Sequence, residues 1–341
     1  MADLTIRGAG IFGLSIAWEA LLQGATVQII EPCEPGAGSS GVLVGALQPH
    51  TPDNWNAKKQ FQFESLTTAE KFWANVEATS GISSGYSRVG RIQPLMKQRD
   101  IDLANYRTTS SKKYWNNSYL WRVVEEDFDS GFCPPSPTNH YVHDTLSAVL
   151  HPRRAVASLA EAIKLRGGVI KSEGNDQGAV IWATGWQGLR DLGSNLSREV
   201  GNGVKGQAAL LKHDANGSPQ VFADGIHFIP HLDGTLGIGS TSERDFDDAT
   251  STDHQLDDLI QRAVGLMPIL KGARILDRWA GVRPRATTRA PLLGPWPGRD
   301  GHFVANGGFK IGFGMAPKVA EVMVDLVLNN QDTIPDDFRL R

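Results

Sequence analysis

Hydrophobic and polar positions along the chain switch between two rhythms. Leu4–Arg7 is a short apolar run that stops at glycines and reads as a strand. Over Ile11–Leu22, the side chains Ile11, Leu14, Leu21 and Leu22 recur at helical spacing, and Gly24 stands where that helix would stop. Residues 25–31 are rich in β-branched side chains and predict the next strand. A helix is predicted over 64–78, with Leu66, Ala69, Phe72, Trp73 and Val76 on one face. Another is predicted over 152–166, opened by Pro152 in its first turn and closed by Gly167. Residues 179–183 form a short buried strand ending at Thr184-Gly185. Residues 205–241 read as antiparallel, with 226–230 and 235–239 flanking the turn dipeptide Asp233-Gly234. A helix over 254–264, strands over 274–282 and 302–305, and a helix over 316–328 complete the pattern. The glycine-rich stretch 35–50 and the polar stretch 80–140 carry no helical stripe, and the second shows only weak strand signals.

Strand–helix–strand patterns at both ends, with antiparallel strands between them, predict an α/β fold with a discontinuous architecture. The chain leaves its first domain, builds a second one of α+β type, and returns. Composition narrows the class. The 341 residues carry a net charge of −3, which gives no broad electrostatic footprint for nucleic acid. Cys33 and Cys133 cannot make a disulfide framework, and the histidines show no metal-ligand spacing, so no metal site is expected. No basic n-region precedes an apolar segment, and no apolar run approaches ~18 residues, so the expected location is cytoplasmic without a membrane span. Trp18, Trp73 and Trp115 read as core residues. Glycine is in excess, at 37 residues, and asks where the backbone turns tightly or meets a ligand.

Gly8-Ala9-Gly10-Ile11-Phe12-Gly13 answers part of that question. It is a G-x-G-x-x-G run between a predicted strand and a predicted helix. The first glycine makes the turn, the second admits a pyrophosphate to the helix N-terminus, and the third lets helix and strand pack closely. Glu31, at the end of the second strand, is placed to accept ribose hydroxyl hydrogen bonds and disfavours a 2′-phosphate. The fingerprint alone leaves NAD and FAD open.

Five blocks decide between them by resemblance. They are Gly8 to Glu31, Gly38-Ser39-Ser40-Gly41 to Pro49, Trp182-Ala183-Thr184-Gly185-Trp186, His227 to Glu243, and Trp279 to Gly294 continued by Gly307 to Pro317. In this order they resemble the D-amino-acid oxidase, glycine oxidase and sarcosine oxidase superfamily of FAD-dependent amine oxidoreductases, nearly from end to end. The resemblance implies a Rossmann-like FAD-binding domain of residues 1–79, 141–204 and 279–341. An antiparallel-sheet substrate domain of 80–140 and 205–278 is threaded between. It implies oxidation of the C–N bond of a small amino acid or secondary amine to an imine, by hydride transfer to flavin, with oxygen as the expected acceptor.

The same resemblance assigns residues. Gly8, Gly10, Ile11, Phe12, Gly13, Glu31 and Pro32 belong to the nucleotide end, with Ser39, Ser40, Gly45, Ala46, Leu47 and Gln48 along the pyrophosphate and flavin. Ala183, Thr184, Gly185 and Trp186 lie beside FAD. Gly308, Phe309, Lys310, Ile311 and Gly312 face the flavin pyrimidine edge, with Ala316-Pro317 in the first turn of the helix that follows. Arg283 matches the arginine that clamps a substrate carboxylate through its fork. Lys310 lies in the site, on the substrate carboxylate as in sarcosine oxidases or near the flavin as in glycine oxidases. His227 stands where glycine oxidase has a substrate-binding tyrosine, as substrate contact or base, or else is a half-buried sheet histidine. Gln48 and His50 line the expected flavin face.

Four features depart from the pattern or qualify it. The interval 168–181 is too short for the strand excursion that helps cover the adenine half of FAD. Thr288 replaces an aspartate, and Gly237 stands where sarcosine oxidases place an oxygen-activating lysine, which opens the way to a dehydrogenase. No cysteine lies in 275–315, so FAD is expected to be non-covalent. Two other readings of the fold exist: an FAD-dependent tRNA wobble-uridine modification oxidoreductase, suggested by Ser40 to Pro49, and a non-catalytic FAD-binding subunit. Nothing in the sequence sets the oligomeric state.

Overall fold

The first strand–helix–strand unit forms as its pattern requires. In a computed structural model, which describes residues 1–125 and 132–340, β1 (Leu4–Arg7) leads into α1 (Ile11–Leu22) and β2 (Val27–Ile30). Helix α1 is buried on nearly all sides because it is sandwiched between the sheet and other helices. The chain continues through β3 (Ala46–Leu47), α2 (Ala57–Ser80), β4 (Arg91–Pro94), α3 (Gln98–Tyr114), β5 (Trp121–Val124), β6 (Tyr141–Asp144) and β7 (Ala148–Val149). Then come α4 (Pro152–Leu165), β8 (Val169–Lys171), β9 (Ala179–Trp182), α5 (Gly185–Asn195), β10 (Gly201–Lys212), β11 (Gln220–Ala223), β12 (Ile226–Pro230) and β13 (Thr235–Gly239). The last elements are α6 (His254–Leu266), β14 (Ile275–Ala286), β15 (Leu292–Pro295), β16 (His302–Asn306) and α7 (Gly312–Asn329).

Two sheets organise the molecule. One has six strands in the order β15-β16-β9-β1-β2-β8, parallel except for the β15–β16 pair. Its strands come from the start, middle and end of the chain, with α1, α4 and α7 packed together beside it. The other has eight strands in the order β14-β10-β13-β12-β11-β4-β6-β5, antiparallel except for β11–β4. This is the mixed α/β architecture the sequence predicts, with a Rossmann-like parallel sheet and a second antiparallel one. Trp18, Trp73 and Trp115 are fully buried in the main core.

Several elements differ from the sequence expectation. Helix α2 begins at Ala57 instead of 64, because the Asn56 side chain caps it by accepting from Lys59 N at 3.0 Å. Helix α3 lies inside the stretch that showed only strand signals. Its only buried side chains are Ile101, Ala104 and Ser111, so no apolar stripe marks it. Helix α5 follows the Thr184-Gly185 turn directly. Helix α7 starts at Gly312, a turn before Ala316. Pro317 therefore falls inside it, where no N–H is available for the Phe313 carbonyl. Strand β14 runs on to Ala286. It tolerates Pro284 because it is the edge strand, with β10 on one side only.

Candidate active site

A cavity of about 660 Å³ runs from the C-terminal ends of β1, β2 and β9 to the inner face of β14. At its first end the backbone does most of the work. Gly8 has φ +105°, and a side chain there would run into the Ala183 carbonyl. Gly13 packs against the Gly8 carbonyl, which is the close helix–strand approach its motif position predicts. Ile11 N, at the start of α1, donates to Ser40 Oγ at 2.9 Å. The Glu31 carboxylate accepts from Ala9 N at 2.8 Å and Cys33 N at 3.1 Å, so it is fixed at the tip of β2 and lines the cavity.

The other end is cationic. Arg283 on β14 is buried, and its guanidinium occupies the space above Gly206 of β10, where a Cβ would overlap it. Its Nη2 donates to Ser240 Oγ at 2.7 Å and its Nη1 to the Thr241 carbonyl at 3.3 Å. Burial lowers its pKa to about 10, so it stays a cation at neutral pH. Behind it lies a buried polar network. Glu243 accepts from the Thr241 hydroxyl and from Gln207 Nε2, the latter at 3.1 Å, and pairs with Lys205 Nζ at 3.9 Å. Gln207 Nε2 also donates to Asp253 Oδ1 at 2.9 Å, the N-cap of α6.

His227 on β12 lines the same end, its Nδ1 buried without a partner. Burial, then the cations Arg91, Lys310 and Arg283, lower its pKa to about 3, so it is neutral at pH 7. Lys310 stands exposed at the mouth, over the Phe309 ring at 5.7 Å, its pKa lowered by desolvation and by Arg283. Phe309 N donates to the Pro284 carbonyl at 3.0 Å, so the turn carrying Lys310 is tied to the strand carrying Arg283.

Comparison with known proteins gives this geometry a family. The DAO family model, described as FAD dependent oxidoreductase, matches residues 3–326. The chain belongs to that family. Glycine oxidase of Pseudomonas aeruginosa is 26% identical over 361 residues, covering 97% of this chain and 96% of that protein. Glycine oxidase of Pseudomonas putida is 37% identical over 158 residues, a stretch covering 46% of this chain and under half, 42%, of that protein. The crystal structure of glycine oxidase from Geobacillus kaustophilus shares the fold with a TM-score of 0.88 at 22% identity, over 100% of this chain and 98% of that one.

The FAD-dependent oxidoreductase assignment can be tested against the cavity, and the residues fit. A helix N-terminus free of side chains at Gly8 and Gly10, a carboxylate at the end of the second strand, and a cationic far end suit a pyrophosphate, a ribose and an electron-rich ring in that order. The short 168–181 interval folds as β8 and a loop pinned to the sheet. Thr5 Oγ1 donates to the Gln177 carbonyl at 2.7 Å, Gln28 Nε2 to the Asn175 carbonyl at 2.8 Å, and Arg7 pairs with Asp176 at 2.8 Å. Arg7, Trp182 and Cys33 line the cavity beside Glu31.

The cavity brings together most of the residues the sequence assigned. Gly8, Gly10, Ile11, Phe12, Glu31 and Pro32 line it, as do Ser39, Ser40 and Ala46. So do Ala183, Thr184, Gly185 and Trp186, then Gly308, Phe309, Lys310 and Gly312, with Arg283 and His227. Others lie behind the wall. Gly13 and Gly45 press against backbone, and Leu47 is in the core. Ile311 caps α7 and packs on the core. Gln48 and His50 are held by α2: Gln62 Nε2 donates to the Gln48 carbonyl at 3.0 Å, and Gln62 Oε1 accepts from both His50 N and the His50 ring. Burial lowers the His50 pKa.

Sequence reasoning gave no role to Ser240, Thr241, Glu243, Lys205, Gln207 or Asn306. Asn306 lines the cavity, donates to the Gly185 carbonyl at 2.8 Å and orders the turn by accepting from Gly307 N at 2.8 Å. The available signal was Lys205 and Gln207, two long polar side chains in an otherwise buried strand. Among the described residues, no cluster of three or more His, Cys, Asp or Glu is placed to hold a metal ion, and no helix is long and apolar enough to cross a membrane.

Proposed function

We propose that this FAD-dependent oxidoreductase oxidises the C–N bond of a small amino acid or secondary amine to an imine, with oxygen as the acceptor. When bound, FAD would supply the two-electron oxidant for loss of a hydride from the carbon next to nitrogen, and water would hydrolyse the resulting imine to a carbonyl and an amine. The observation that carries the reading is Arg283. It is a buried cation that donates to Ser240 Oγ and the Thr241 carbonyl, on a cavity wall that also meets the FAD-type cradle. Its remaining donors suit a carboxylate, which would hold the substrate by a two-point fork.

The neighbouring groups do the rest. Arg283 and Lys310 disfavour an ammonium beside them, so the substrate amine loses its proton and keeps the lone pair that drives hydride loss. His227, held neutral, contacts the substrate as a hydrogen-bonding group and not as a strong base. Val42, Val44, Ala280 and Val282 line the wall between the two ends and exclude water from the reacting carbon. The domain division proposed with this reading is 1–79, 141–204 and 279–341 for FAD, and 80–140 and 205–278 for substrate. It is supported by the six-stranded sheet, whose strands all fall in the first set. Strands β6 (Tyr141–Asp144), β10 (Gly201–Lys212) and β14 (Ile275–Ala286) pair in the eight-stranded sheet and move three of the proposed crossings by a few residues.

The test is peroxide release by the FAD-loaded protein with glycine, sarcosine, proline and D-amino acids, repeated with an artificial electron acceptor. Peroxide with one of these substrates is expected. Turnover with the artificial acceptor alone would remove oxygen from the proposal, and no turnover in either assay would remove amine oxidation.

A further inference from the structure

One fully buried side chain, Gln207 on β10, stands behind the groups that aim Arg283. Its neighbour in the strand, Gly206, lies under the Arg283 guanidinium. Successive residues of a strand face opposite sides of the sheet, so Gln207 points away from the guanidinium. It meets the substrate site only through other residues.

Those residues belong to one segment, 240–253, which joins β13 to α6. Gln207 N donates to Thr241 Oγ1 at 2.8 Å, and the Gln207 carbonyl accepts from Thr241 N at 3.1 Å. Its Nε2 donates to Glu243 Oε1 at 3.1 Å and to Asp253 Oδ1 at 2.9 Å, while its Oε1 accepts from Asp253 N at 2.9 Å. The backbone and the side-chain amide of one residue thus hold both ends of the segment. The near end carries the Arg283 acceptors, Ser240 Oγ and the Thr241 carbonyl. It also carries Glu243, which takes the Thr241 hydroxyl proton in a hydrogen bond. Against the burial that lowers the Arg283 pKa, Glu243 supports its positive charge.

Between its ends the segment lies on the cavity. Ala249 and Thr250 line it, and Phe246 meets the Trp186 ring edge-on at 6.2 Å. The Asp248 carboxylate shapes this turn by accepting from Thr250 N at 2.7 Å, Thr250 Oγ1 at 3.0 Å and Ser251 N at 3.1 Å. Removing the Gln207 amide would leave buried acceptors without their donor and free the far end from the near one.

We propose, resting on the reading of Arg283 as the carboxylate clamp, that Gln207 is a positioning residue. It holds segment 240–253 so that Ser240 and Thr241 aim the Arg283 fork at the substrate carboxylate. The closeness of the clamp to its productive geometry is then set on the far face of the sheet, by a residue that touches neither substrate nor FAD.

Acetate is the probe, since it has a carboxylate and no amine to oxidise. It is titrated at constant ionic strength into the oxidised, FAD-loaded protein, and binding is read from the flavin spectrum. Gln207→Met keeps an unbranched chain and removes the amide. Its acetate Kd is expected to rise about tenfold, the scale for a misaligned charge-assisted hydrogen bond. In an Arg283→Ala background the same substitution should change Kd little, because the effect passes through the arginine. Asp253 is exposed, so its variants spare the core. Asp253→Ala should raise Kd about threefold, and Asp253→Asn, which keeps an acceptor for Gln207 and a helix cap, should restore it. Unchanged affinity in Gln207→Met, or an equal loss with and without Arg283, would overturn the inference and leave the clamp standing. If Gln207→Met does not fold, unchanged affinity in Asp253→Ala overturns it instead. If acetate leaves the wild-type spectrum unaltered, or binds Arg283→Ala equally well, the clamp reading itself fails and the inference with it.

Discussion

Gly206 has no side chain because Arg283 takes its space. The guanidinium lies where a Cβ would be, and it is aimed by Ser240 Oγ and the Thr241 carbonyl. Gly206→Ala must therefore push the fork out of line or part β10 from β14. The expected result is a rise of about tenfold or more in the KM of a carboxylate substrate, with kcat less affected, read from steady-state kinetics. Arg283→Lys keeps a positive charge but loses the planar fork. Its kcat/KM should fall about 10- to 100-fold, again mainly through KM. An unchanged KM in both variants would separate Arg283 from substrate binding. The sequence could name Arg283 and Lys310 because both stand in family-like blocks. It could not show that Ser240 and Thr241 aim the arginine, because those contacts join residues about 40 apart through the pairing of three strands.

At the scale of elements, the β12–β13 hairpin has a pH signature. His227 lies on β12 and His231 just after it, and burial lowers each to about 3. His231 lies against His151, with ring centroids 4.5 Å apart, and shares a 3.0 Å hydrogen bond with Thr235 Oγ1. A histidine whose folded pKa is depressed adds stability above its unfolded pKa of ~6.5 and loses it as pH falls toward the folded value. Below pH ~6.5 the unfolded chain takes up protons that the folded hairpin refuses. Denaturant midpoints should therefore fall between pH 6.5 and 4.5, by up to about 1.4 kcal/mol per pH unit for each histidine. His231→Asn should flatten that slope, and an identical slope in the variant would assign it elsewhere. Elements also show where sequence reading stops. Helices with an apolar stripe, such as α4 and α6, were legible. Helix α3 was not, because its stability comes from packing against β5 instead of from a stripe of its own. The start of α2 was set by a single cap, Asn56, that periodicity does not weigh.

At the scale of the whole molecule, one sheet gathers strands from residues 4–30, 169–182 and 292–306, and the cavity opens where their ends converge on the second sheet. The glycine-rich turns, strand ends and order of segments were legible because backbone approach to a dinucleotide restricts residue type strongly. Gln48 and His50 show the limit. They flank the right loop, but Gln62 of α2 bonds the Gln48 carbonyl and the His50 N–H and ring, contacts no local pattern reveals. Because FAD would bridge segments far apart in sequence, its binding should raise the thermal midpoint, with about 4 kcal/mol of added stability at a thousandfold excess over Kd. Ser40→Ala, which removes the partner of Ile11 N at the α1 terminus, should weaken FAD uptake, read from the FAD concentration that half-restores this shift. The most direct measurement is anaerobic mixing of the FAD-loaded protein with glycine, sarcosine or another small amino acid, following the visible absorbance of oxidised flavin. The account predicts saturable bleaching in the wild type, and half-saturation at more than about tenfold higher substrate in Arg283→Ala. No bleaching by any small amine, or half-saturation unchanged in Arg283→Ala, would contradict it.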